Sequence, residues 1–391
     1  MSKSNETTPN VPTLRFKEFS GEWEKIRLGN IIEEIKNYTS DFNKYPLYSF
    51  TIENGVTPKT DRYERNFLVT KDGDTFKIVP PNSFVMNPMN LRFGAINYSK
   101  VKIPVSVSGY YNIFEIENGK NNEFWSAYFL TKTAINLYNS VATGSLIEKK
   151  RVHFSQFIQL SFFVPSDVEK QKITRFLQLI ENRIAVQNKI ISDLKVLKKE
   201  LCNKVFGKGS AVRLGDFIEE VTTRNKSNSC ENVLSVSNKM GFIKQSEQFE
   251  DRTVASENKS NYKVVTEGCF AYNPARINVG SIALLSTYKI GIISPMYVCF
   301  KTKSNLASEY LNFYYQSGFF YKELQKKLEG SVRQCLTYEN MSEILIPYVG
   351  IEEQKAIAAI LNKFATLIAT EEKYLKSLQK QKSYFLNAMF I

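Results

Sequence analysis

Two stretches of the chain carry apolar residues at three- and four-residue intervals with polar residues between them. After Pro165 the positions are Ile173, Leu177, Ile180, Ile184, Ile191, Leu194, Leu197 and Leu201, and Ile357, Leu361, Phe364, Ile368, Leu375, Leu378 and Phe385 repeat the pattern further on. Such spacing predicts the single apolar stripe of a coiled-coil type helix. Each helix would run for about 40 residues, or roughly 60 Å at 1.5 Å per residue. A stripe of that length needs a partner, either a second copy of the chain or, because the chain supplies two matched stripes, the other helix. Short joints such as Gly207-Lys208-Gly209-Ser210 lead straight into the next segment and favour pairing within the chain.

Between the helices the pattern changes to short β-branched and aromatic runs bounded by Gly, Asn and Pro. Strands are expected at Pro46–Thr51, Asn82–Met86, Val101–Val107 and Tyr110–Ile116. Helical pieces are expected near Glu123–Tyr138 and Ser308–Leu328, with aromatics that read as core. The order predicts an α+β fold in which two tandem mixed α/β domains, 1–165 and 210–349, alternate with two long helices, 166–209 and 350–391. The helices would pair as an antiparallel coiled coil with pseudo-twofold symmetry.

A repeat underlies this order. Shifting the sequence by 186 positions lays Arg27-Leu28-Gly29 on Arg213-Leu214-Gly215, Asn87-Pro88 on Asn273-Pro274, Gly94 on Gly280 and Gly144-Ser145 on Gly330-Ser331. Further along the offset slips by a few residues, pairing Val164-Pro165 with Ile346-Pro347 and Glu169 with Glu353.

Composition narrows the chemistry. The apolar runs Gly291–Phe300 and Phe313–Phe320 fall well short of the roughly 18 residues a bilayer span requires, and Met1–Val11 is polar, so no membrane partner and a cytoplasmic location are expected. Five scattered cysteines without a C-x-x-C pair argue against a disulfide scaffold or structural zinc. The single histidine, His153, has no nucleophile or ligand pattern near it and reads as structural. Neither phosphate-cradling glycine motif occurs. With 52 Lys and Arg against 39 Asp and Glu, the net charge of +13 instead favours a polyanionic partner. Residues 166–209 are the most basic part for their length, with ten cations against five carboxylates.

Two globular copies related by a twofold axis suit a dimeric reader of double-stranded DNA, whose half-site spacing mirrors the separation of its reading heads. Because the copies have diverged, the half-sites would differ. Two clusters offer the cations and amide or hydroxyl donors that phosphate and base contacts need. One follows the Gly-Ser loops: Ser145, Lys149, Lys150 and Arg151 in the first copy, and Ser331, Arg333 and Gln334 in the second. The other flanks the Asn-Pro turns, as Asn87 and Arg92, and Asn273, Arg276 and Asn278. The turns are partly similar to the N-P-P-aromatic loop of amino-methyltransferases. They lack its second proline and aromatic residue, and no glycine-rich S-adenosylmethionine loop precedes them, so methyltransfer by this chain alone is not expected.

Several features together resemble the DNA-specificity (S) subunit of type I restriction-modification systems, over essentially the whole chain. They are Pro12-x-Leu14-Arg15-Phe16-x-x-Phe19-x-x-x-Trp23, the two Gly-Ser loops, the two [VI]-P turns leading into Glu169-Lys170-Gln171-Lys172-Ile173 and Glu352-Glu353-Gln354-Lys355-Ala356-Ile357, and the lysine-rich helix ends. The resemblance implies a non-catalytic subunit whose globular domains each read one half of a bipartite, asymmetric DNA target. It implies that the helices fix the gap and dock two modification (methyltransferase) subunits and, through them, restriction (motor and nuclease) subunits. S-adenosylmethionine, ATP and Mg would then be bound by those partners and not by this chain. Helix pairing and docking are expected at Ile173, Leu177, Ile180, Ile184, Leu194, Leu201, Ile357, Leu361, Phe364, Ile368, Leu378 and Phe385. The rival readings are a coiled-coil structural or adaptor protein without DNA specificity, and an independent DNA-modifying enzyme.

Overall fold

A computed structural model describes residues 10–52, 54–59, 76–146, 150–238, 240–248, 259–329 and 334–391. The chain divides into two compact units, Met1–Val186 with Tyr374–Ile391, and Gln187–Lys373. Each holds a mixed α/β body together with segments of both long helices, Asp167–Phe206 and Ile351–Ala388.

In the first unit Glu24–Arg27 pairs antiparallel with Ser161–Val164, joining the start of the body to the strand that precedes the long helix. Above this pair lies a four-stranded antiparallel sheet in the order Ile32–Ile35, Asn112–Ile116, Phe84–Met86, Ile96–Tyr98. A smaller sheet of Tyr38–Thr39, Phe76–Val79 and Val105–Ser108 and the hairpin Tyr48–Thr51/Gly55–Pro58 complete the strands. The expected strands are therefore present, each starting about two to four residues late, after the Pro or turn residue that had been counted into it.

The second unit repeats the plan. Ser210–Arg213 pairs with Leu345–Tyr348, and the central sheet runs Ile218–Glu220, Val298–Thr302, Cys269–Tyr272, Ile282–Leu284. Correspondence extends to register. Val233 lies opposite Ile292 in a parallel pair, and the positions 186 earlier, Leu47 and Ser106, form an isolated parallel bridge.

The two helical pieces each break into two helices, Asn122–Tyr128 with Lys132–Val141, and Ser308–Tyr315 with Gly318–Lys327. The cause is a capping residue inside the aromatic run. Thr131 Oγ1 accepts from Ala134 N and donates to Tyr128 O, and Ser317 Oγ accepts from Phe320 N and donates to Tyr314 O. The aromatics are core: Trp125, Tyr128, Tyr310 and Tyr314 are almost fully buried.

Both long helices are anchored to their bodies by aromatic residues. In the first unit Phe390 packs against Tyr128 at 4.8 Å between centroids, Phe124 at 5.4 Å and Trp23 at 6.5 Å. Phe206 does the same in the second, against Tyr310 at 5.2 Å and Tyr314 at 5.6 Å. The first unit has an additional strap, the segment from Asn10 to Trp23. Leu14 N donates to Ala388 O, Phe16 meets Phe176 edge-on, and Arg15 grips the nearly buried Glu169 carboxylate through Nε and Nη2, both at 2.8 Å. That charge-assisted fork raises the pKa of the guanidinium.

Of the stripe residues, Ile173, Leu177, Ile180, Leu361, Ile368 and Leu378 are buried, and Ile184, Leu194, Leu201, Ile357, Phe364 and Phe385 are half-buried. Leu197 is a correction: it is 56% exposed. An α-helix repeats every 3.6 residues, so the covered face drifts, and the adjacent Lys198 takes the inner position over the Phe313 ring.

Candidate nucleic-acid interface

The Asn-Pro turns sit where the central sheet ends. In the first unit the strand Phe84–Met86 runs into Asn87, whose Oδ1 accepts from Met89 N, an Asx turn that closes the bend locally. A 3₁₀ turn, Leu91–Phe93, follows and ends at Gly94 with φ +87°. The second unit is built alike. Asn273 Oδ1 accepts from Ala275 N, Ile277–Val279 forms the 3₁₀ turn, and Gly280 has φ +87°. Each asparagine thus braces its own turn through Oδ1.

Each Gly-Ser loop is closed by a two-way antiparallel bridge, Thr143 with Arg151 and Glu329 with Cys335. The next residue but none, Val152 or Leu336, donates its N–H to the turn's proline carbonyl, Pro88 O at 3.0 Å and Pro274 O at 3.2 Å. The two clusters, about 60 residues apart in sequence, are therefore one assembly in each unit.

Ser145, Arg151 and Gln334 are exposed on these loops, and Lys150 is half-buried. Lys149, Ser331 and Arg333 lie outside the described residues. Arg92 donates from Nε to Asn139 Oδ1 at 2.7 Å and lies over the exposed Phe93 ring, so it is tethered to the helix Lys132–Val141. Arg276 is exposed and Asn278 half-buried on the second unit's turn. His153 is exposed and its backbone N–H donates to Gln156 Oε1 at the start of the helix Phe154–Phe157, a structural position.

The second unit also contains a cavity of about 270 Å³ beside the turn, walled by Ser235, Asn238, Asn273, Arg276, Ser294 and Met296 among others. Sequence reading missed it because its walls come from several separate segments. The signal available was the repeat itself, since those segments align at the same offset as the turn. Among the described residues no group of His, Cys, Asp and Glu could hold a metal ion, and no helix is long and apolar enough to cross a membrane. The thiols of Cys269 and Cys299, buried in the central sheet, are pushed up by burial to about 11 and about 12, far from a reactive thiolate.

The family model for the type I restriction modification DNA specificity domain matches this sequence twice, over residues 20–196 and 210–380. The chain belongs to that family. This specificity-domain protein is 23% identical over 335 residues to a protein named the type I restriction enzyme MjaX specificity subunit of Methanocaldococcus jannaschii, covering 78% of the present chain and 71% of that one. Its fold is similar to the crystal structure of a type I restriction-modification S subunit from M. genitalium, with a TM-score of 0.57 at 12% identity over 97% of this chain and 99% of the other. A chain from a structure addressing complex assembly and conformational transition of the type I R-M system matches with a TM-score of 0.57 at 15% identity, over 93% and 96%. DNA sequence specificity in restriction-modification is the family's role, and the specificity-domain chain carries two copies of the module.

Proposed function

We propose that this chain is the target-recognition subunit of a type I restriction-modification complex and that it carries no active site of its own. Residues 1–165 and 210–349 each read one half of a bipartite, asymmetric double-stranded DNA site. The observation that carries this reading is the turn-and-loop assembly built twice on one frame, with Asn87 and Asn273 closing equivalent turns against equivalent bridged loops. Phosphate contacts fall to Lys149, Lys150, Arg151 and Arg333, with Ser145, Ser331 and Gln334 as further donors. Base contacts fall to the turns, with Arg276 and Asn278 in the second unit and the segment around Arg92 in the first.

The segments 166–209 and 350–391 set the unread gap, pairing as an antiparallel coiled coil that relates the two heads by a pseudo-twofold axis. Contacts inside each unit support this. In the first, Phe176 meets Phe385, Glu181 pairs with Lys382 and Arg183 donates to Tyr374 Oη; in the second, Gln187 donates to Glu371 and Lys195 pairs with Glu372. Because the stripe residues face their own chain, modification subunits dock on the outward positions, including Leu179, Val186, Ile190 and Leu197 on the first helix and Ile360 and Leu367 on the second, all exposed by 40% or more. S-adenosylmethionine, ATP and Mg belong to those partners.

The test is adenine-methylation sequencing of the source genome with the gene intact and deleted. Loss of one split, asymmetric motif is expected, and exchange of residues 1–165 for those of a related subunit should change only one half of it. An unchanged methylome with the partner subunits present refutes the proposal.

A further inference from the structure

The cavity beside the second unit's turn has a frame that the first unit repeats. Ser235, Asn273, Ser294 and Tyr297 line it, and 186 positions earlier stand the same residue types, Ser49, Asn87, Ser108 and Tyr111. The hairpins correspond as well, Ser237 pairing with Gly241 as Thr51 pairs with Gly55. Buried wall positions that differ stay apolar or small, as Val236 for Phe50 and Ser281 for Ala95.

At the rim the two units part company. Asn238, Arg276, Val279 and Met296 line the second unit's cavity, and the equivalent positions of the first are Ile52, Asn90, Phe93 and Tyr110. All eight are exposed. The buried wall positions that differ swap one apolar or small residue for another, whereas the exposed rim positions change class between amide, cation and apolar, and holding Phe93 at 65% exposure and Met296 at 59% keeps apolar surface in water for no gain in folding. Constant backbone with variable, outward chemistry is what two readers of different sequences need.

Resting on the proposed function, we infer that these four rim positions in each unit determine which bases that unit accepts, with Arg276 reading a guanine in one half-site and Phe93 contacting a thymine methyl in the other. The chemistry follows from the base edges. A guanidinium presents paired donors that fit the O6 and N7 acceptors of guanine, and an amide such as that of Asn238 fits the N6 and N7 of adenine. An exposed phenyl ring offers no donor and fits the C5 methyl of thymine. Arg92 lies 5.6 Å from the Phe93 centroid and buttresses that ring from one side.

The experiment uses the full chain in its host with its partner subunits. Arg276→Ala should relax one position in one half of the methylated motif, with the other half and the gap unchanged, and methylation of the original target in vitro should fall about 10- to 100-fold. Phe93→Ala should relax the opposite half. The rim exchange Asn238→Ile, Arg276→Asn, Val279→Phe, Met296→Tyr should change the bases of one half only. All these residues are exposed, and unaltered thermal unfolding of the purified variants confirms the fold. If gene deletion erases the motif but the variants leave both halves as they were, the rim assignment is wrong and the proposed function stands. If deletion itself leaves the methylome unchanged, the proposed function is wrong.

Discussion

Gly94 and Gly280 close the two equivalent turns with the same φ of +87°, and alanine at each position measures the cost of that backbone. An L-residue in this left-handed region costs about 1–2 kcal/mol, offset by about 0.4–1 kcal/mol because alanine has less freedom than glycine in the unfolded chain. At Gly280 an added Cβ would lie 3.8 Å from its nearest neighbour, the Tyr321 hydroxyl, an ordinary contact. Gly280→Ala is therefore expected to cost about 1 kcal/mol. At Gly94 the same atom would meet Leu130 Cδ2 at 3.1 Å, the free end of a leucine that is 42% exposed and can swing outward, so little is added to the backbone cost. Gly94→Ala should then cost about 1 kcal/mol as well. Thermal unfolding with the local transition followed by hydrogen exchange resolves a loss of this size, since 1 kcal/mol shifts a midpoint by about 2–4 °C in a body of this length. No cost at either position, or a cost of about 3 kcal/mol or more at Gly94, would refute the claim that both turns are held by a left-handed glycine with room for a methyl group beside it.

Three further outcomes follow from the same structure. Phe390→Ala empties a site ringed by Trp23, Phe124 and Tyr128 and should cost about 3–5 kcal/mol in the first unit, raising amide exchange there by about two to four orders of magnitude while 214–346 keeps its protection; Phe206→Ala should do the converse. Cys269 and Cys299, with thiols raised by burial from 9.0 to about 11 and about 12, should resist iodoacetamide at pH 8 in the native chain and react after denaturation, as mass spectrometry would show. Their protonated state contributes to folding in full below about pH 9 and is lost as pH rises through 11 to 12, so alanine at both positions should flatten the alkaline limb of the stability curve. Leu197→Asp and Leu367→Asp, both at exposed helix positions, should leave thermal unfolding within about 0.5 kcal/mol of the parent and weaken assembly with modification subunits in gel filtration; unchanged assembly would remove those positions from the docking surface.

The long helices were legible because a stripe sustained over ten turns has few alternatives, and the strands because β-branched and aromatic runs end at Gly, Asn and Pro. What sequence concealed was side-chain context. Lys198 occupies an inward position that a hydrophobic template assigns to an apolar residue, and desolvation lowers its pKa accordingly. The breaks at Thr131 and Ser317 were written in residue type but outweighed by the aromatic run around them. Arg15 belongs to a motif visible in the sequence, but its partner Glu169 is 154 residues away, and nothing local links a strap to the helix it grips. The turn residues were found by their repetition, whereas the bracing of each turn through Oδ1 of its asparagine is something only geometry reveals.

The first unit needs Met389 and Phe390 in its core and Ala388 to receive Leu14, so segments far apart in sequence complete one body. The second unit, 187–373, is continuous. During synthesis the order of completion is therefore inverted: the later body can close while the earlier one still waits for residues 388–391 to leave the ribosome. Until then the aromatic surface of Trp23, Phe124 and Tyr128 stays open, and a chain that stops before residue 388 would have its second body finished and its first never sealed.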